Sequence, residues 1–159
     1  MKTQHSLCLL GLALVAATAV AGNAHFVRGP NASLGSPELD ISWKEAGLGD
    51  TVSVDYLATA DATARYQCVN RGGKCPSASN KEEVFDQVSA PGTFSSGKNG
   101  TINGQITLQP PVGPLVCPGN QVKVLTAASY ANIALADLTN GVSAAASPSS
   151  LGMSGPECP

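Results

Sequence analysis

Apolar and polar side chains alternate with a period of two along most of this chain. In GTINGQITLQP, Ile102, Ile106 and Leu108 fall on one side, with Thr101, Asn103, Gln105, Thr107 and Gln109 on the other. That pattern is the signature of a strand with one buried face and one wet face. ATARYQC sets Ala64, Tyr66 and Cys68 against Thr63, Arg65 and Gln67. LDISW sets Leu39, Ile41 and Trp43 against Asp40 and Ser42, and TVSVDY repeats the pattern with Val52, Val54 and Tyr56. Weaker alternation predicts further strands over 26–28, 84–90, 122–127 and 132–138.

Between these runs lie EAGLGD, TADA, NRGGKCPSASN, APG, SSGKNG, QPPVGP and CPGNQ, which read as loops. Asn140-Gly141 in LTNGV predicts a tight hairpin turn whose two central residues take positive φ. No long stretch has the helical period, and a single helical turn is expected over 79–86. Many short strands punctuated by glycine and proline predict an all-β fold, an antiparallel β-sandwich of immunoglobulin-like type with little helix. Trp43, Tyr56 and Tyr66 fall in phase with aliphatic neighbours and are assigned to the core, whereas the pattern leaves Phe85, Phe94 and Tyr130 undecided.

The first residues change the picture by fixing a compartment. The uncharged run LCLLGLALVAATAVA, preceded by Lys2 and followed by small residues, reads as a secretory signal over residues 1–24, cleaved after Ala21 or Ala24. It is too short for a membrane anchor. The expected organisation is one sandwich domain over 25–147 and a coil-like Ser/Gly/Pro-rich tail over 148–159. Scattered charges with a net of −2 exclude the basic stripe that nucleic acid or an anionic membrane would require.

Cys8 leaves with the signal, so Cys68, Cys75, Cys117 and Cys158 remain. Outside the cell such a set is expected to be oxidised, and its spacing lacks the Cys-x-x-Cys or Cys/His pattern of a zinc site. Spacing alone leaves three connectivities open. Cys68 closes one predicted strand and Cys117 precedes another, so a bridge between them would tie distant parts of the core and leave Cys75 for Cys158. The rival joins Cys68 to Cys75 and Cys117 to Cys158.

Candidate chemistry is sparse. An N-terminal His25 would suggest a copper brace, but the other imidazole, His5, departs with the signal, so no metal site is assigned unless His25 is itself the first residue. A Ser-His-Asp or Cys-His arrangement lacks a base for the same reason. Glu82, Glu83 and Asp86 cluster in NKEEVFDQ, with Asp55, Asp61 and Asp137 elsewhere, the raw material for a glycosidase pair. The bland reading of that cluster is a solvated turn, and neither catalytic residue nor cofactor is assigned. Asn31 and Asn99 head N-x-S/T sequons in predicted loops and are the glycosylation candidates.

AHFVRGPNASL, ISWKEAGLG, CVNRGGKCPSASNKEE and TINGQITLQPPVGPLVCPGNQ together give the chain a likeness. It resembles a family of small secreted cysteine-containing β-sandwich proteins of filamentous fungi and some soil bacteria. The resemblance covers most of the expected mature region and implies a sandwich with a cysteine pair matching Cys68 and Cys117. Cys75 and Cys158 look like additions to that pattern. Effectors and elicitors detected by plants occur among small secreted fungal proteins of this kind. The expected function is therefore a secreted, non-enzymatic interaction protein that shows loop residues Asn70, Arg71, Gly72, Gly73 and Lys74 to an extracellular host protein. The alternative is a binder of cell-wall polysaccharide.

Overall fold

The computed structural model describes residues 23–159. The secretory segment expected over residues 1–24 therefore lies, but for its last two residues, outside the described part. Eight strands follow in order: β1 His25–Leu34, β2 Leu39–Ala46, β3 Ser53–Asn70, β4 Lys81–Ser95, β5 Ile102–Leu108, β6 Gln121–Asp137, β7 Val142–Ala145 and β8 Leu151–Ser154. All pair antiparallel within two packed sheets, β1-β2-β5 and β4-β3-β6-β7, with β8 also on the β6 edge. This is an immunoglobulin-like sandwich in which the fourth strand pairs with the third rather than joining the first sheet.

The core follows from the alternation. Leu39, Ile41 and Trp43 of β2 and Ile102, Ile106 and Leu108 of β5 face Val54, Tyr56, Ala58, Ala60 and Ala62 of β3 and Tyr130, Ile133 and Leu135 of β6. Alanines on one sheet opposite bulky aliphatic residues on the other let the layers interdigitate. Trp43, Tyr56 and Phe94 close one end, with ring centroids 4.7 to 5.7 Å apart. Each large buried side chain contributes about 1.5–3 kcal/mol, whereas the Arg65–Glu83 ion pair is exposed and screened by water. The interior, not the surface charge, holds the sheets together.

Several expected boundaries move. TADA lies inside β3, where Thr59, Asp61 and Thr63 point outward and the alanines inward. Alanine marks neither face, so the alternation is invisible to hydropathy at that point. The two strands expected over 122–127 and 132–138 are one, β6, interrupted by an extra residue: Thr59 pairs with Ala134 but Asp61 with Ala131. Asn132 sits in the gap at φ 51°, and this bulge shifts the inward phase from Tyr130 to Ile133. APG is part of β4, an edge strand that pairs only with β3 and so tolerates Pro91. The expected helical turn over 79–86 is instead the start of β4.

The LTNGV hairpin forms, but its turn spans four residues between Asp137 and Val142, and only Gly141 has positive φ. The expected two-residue turn is displaced because the Asp137 carboxylate accepts the backbone N–H groups of Thr139 and Asn140 and the Asn140 amide. The tail is not a coil. Its residues 151–154 form β8 on Tyr130 to Ala127 of β6, and Leu151 and Met153 pack on the core, so it belongs to the same domain.

Candidate functional site

β3 and β6 run well past the shorter three-stranded sheet, and the proline-rich segment 109–120 covers the excess. Tyr66 OH donates to the Pro111 carbonyl at 2.8 Å, and Lys123 Nζ lies 4.9 Å from the Tyr66 ring centroid while donating to the Gly113 carbonyl. Both disulfides close this pole. Cys68 is bonded to Cys117 and Cys75 to Cys158, with Cα atoms 5.5 and 5.4 Å apart, and the rival pairing is absent. Cys158 is buried, its N–H donates to Gln67 Oε1 at 2.8 Å, and its carbonyl accepts Lys81 Nζ.

These contacts clamp the glycine loop from both sides. Asn70 N–H donates to the Lys74 carbonyl and Gly73 N–H to the Asn70 carbonyl, each at 2.9 Å, while Cys68 N–H donates to the Asn80 carbonyl. Ser79 Oγ donates to the Cys68 carbonyl at 2.9 Å. Gly72 and Gly73 take φ of 108° and 78°, and a side chain added at either would meet nothing within 4 Å. The tip therefore stands in solvent, with Arg71 and Lys74 both exposed. It is a cationic protrusion with a covalent stop immediately behind it.

The remaining candidates are dispersed. His25 is exposed at the start of β1, its Nδ1 within 2.6 Å of the Asn23 carbonyl, and among the described residues no His/Cys/Asp/Glu group is arranged to hold a metal. Glu83 pairs with Arg65, Glu82 Oε2 accepts the Leu115 N–H at 2.9 Å, and Asp86 is exposed. Asn99 lies in a turn, but Asn31 sits within β1, paired with Ser42, rather than in the expected loop; both are exposed. Of the undecided aromatics, Tyr130 is buried and donates to the Pro37 carbonyl, Phe94 is half-buried, and Phe85 is 69% exposed.

One cluster escaped the sequence reading. Glu45 and Asp137 are both buried, and Tyr56 OH donates to Glu45 Oε2 at 2.7 Å while Oε1 has no hydrogen-bond partner. Burial pushes the Glu45 carboxyl up to about 7; the Tyr56 hydrogen bond opposes this and the charge of Asp137 adds to it. The same burial, with Glu45 beside it, raises the Tyr56 hydroxyl far above the ordinary phenol range. The expected EAGLGD loop in fact begins inside β2: the alternation of Leu39, Ile41 and Trp43, carried one step further, keeps Glu45 in the strand and places it inward.

No protein-family model, curated protein or solved structure matches the chain.

Proposed function

We propose that this is a secreted, non-enzymatic interaction protein of the fungal apoplastic effector or elicitor type, whose 70–80 loop docks on an extracellular plant-host protein. The observation that carries the reading is the exposed Arg71–Lys74 tip backed by the Cys75–Cys158 bond. A loop already held in one shape loses little conformational entropy on docking, and its two cations favour an acidic patch on the partner. Loops on rigid sandwiches commonly carry recognition. The resemblance to small secreted fungal proteins supports the compartment and the host.

Infiltration of purified, disulfide-intact protein into leaves of several plant species tests the proposal, with ion leakage as the readout. The wild-type protein is expected to trigger cell death in at least one species, and the charge-reversed variant Arg71→Glu/Lys74→Glu to lose that response. Silence of the wild-type protein in every species overturns the functional reading. An undiminished response to the variant overturns the role of the loop.

A further inference from the structure

The outer face of the five-stranded sheet carries a trough that the loop does not touch. Phe85 pairs with Thr63, Thr63 with Ser129, and Ser129 with Gly152, so these four residues form one row across β4, β3, β6 and β8. At the usual strand spacing the row is roughly 14 Å long, room for more than one pyranose ring. Two adjoining depressions, of about 620 and 370 Å³, share Thr63, Ser129 and Gly152 as their common floor. These small side chains keep the floor low, and Phe85 stands at its outer end.

The walls carry charge that is already spent within the protein. On one side Asp61 Oδ2 accepts the Asn132 amide at 2.7 Å and Oδ1 faces the Gln87 amide at 3.5 Å. On the other, Arg65 is held by Glu83 at 2.5 Å and by Glu157 at 3.8 Å. Three carboxylates against one guanidinium repel an anionic ligand and leave no free cation to greet one. What the walls still offer is hydrogen-bonding capacity from amides, hydroxyls and carboxylate lone pairs. Phe85 adds an apolar ring that no other part of the described chain covers, on an edge strand where an exposed aromatic is a liability unless something stacks on it. A ring face beside polar groups with no net positive charge matches a sugar, whose C–H face is apolar and whose rim is hydroxyl.

We infer that the Phe85–Thr63–Ser129–Gly152 trough is a binding site for a neutral polysaccharide chain of the β-glucan or chitin class. The site is separate from the loop and independent of the loop's proposed role. Titration of ¹⁵N-labelled protein with soluble hexamers of β-1,3-glucan, cellulose and chitin tests it. At least one hexamer is expected to shift the amides of Thr63, Phe85, Ser129 and Gly152. Phe85→Ala, at an exposed position that leaves the core intact, is expected to weaken binding at least tenfold, whereas Phe85→Trp and Arg71→Glu/Lys74→Glu keep it. Absence of binding to all three hexamers overturns the inference, as does binding that survives Phe85→Ala or tighter binding of polygalacturonate. A wild-type dimer that Phe85→Ala converts to monomer, without sugar binding, would give the trough to a second copy of the chain and overturn it equally.

Discussion

At Gly104 a hydrogen stands where any other residue would place a carbon against Trp43. A Cβ there would lie 2.3 Å from Trp43 Cζ2, and the two residues are direct cross-strand partners between β2 and β5. The indole cannot retreat, because Tyr56 and Phe94 pack on it. Gly104→Ala is expected to cost about 1–3 kcal/mol, read as a lower urea midpoint with unchanged slope. The Glu45 carboxyl works on the same interior from another direction. Its ordinary value of 4.5 rises to about 7 in the fold, so the folded state favours the neutral acid. Stability is complete below pH 4.5, declines as pH rises towards 7 and is level above that, a loss of about 3 kcal/mol from this group. The groups facing it are Tyr56 of β3, Asp137 at the end of β6 and His25 of β1. Urea unfolding at pH 4, 6 and 8 is expected to show this decline in the wild-type protein and to lose most of it in Glu45→Gln. Glu45 was legible from the phase of β2, but its acid partner was not, because only the sheet packing brings Asp137 across to it.

Strands that alternate large apolar with polar residues, such as β2 and β5, were readable through their centres, although β2 runs on to Ala46 and takes in Glu45 and Ala46 from the expected EAGLGD loop. β3 and β6 were cut short in the reading for two different physical reasons. In β3 the inward residues shrink to alanine, which removes the contrast that the period depends on. In β6 the bulge at Asn132 reverses the phase, so a single strand reads as two. The disulfides were legible as a set, and the favoured pairing is the one present, because strand ends constrain which sulfurs can meet. Their roles differ. Cys68 is fully buried and joins β3 to the covering segment 109–120, so Cys68→Ser is expected to cost roughly 2–5 kcal/mol. Cys158→Ser is expected to cost less, because β8 stays paired to β6 and keeps Leu151 and Met153 on the core. Thermal unfolding of the two variants side by side checks the order, and equal losses would contradict it.

As a whole the molecule is two unequal layers: the long strands of one sheet overhang the short strands of the other, and irregular chain fills the difference. Alternation and punctuation were enough to foresee two antiparallel layers. They could not foresee that the C-terminal segment completes one of them, since Leu151 and Met153 amid glycine and serine give too short a pattern to register. The trough was beyond reach for a related reason, as the four residues of its row come from four strands and share no sequence neighbourhood.

The elongation of β3 also separates two vulnerabilities. Tyr56, which holds Glu45, and Cys68, which anchors the covalent pole, stand twelve residues apart on that strand, on the order of 40 Å when extended. A climb out of acid towards neutrality thus works at one extremity of the sandwich and reductant at the other, too far apart to aid each other. A sour, oxidising medium spares both ends at once, and neutralising it would leave the sulfur-locked tip standing while the opposite end grows soft.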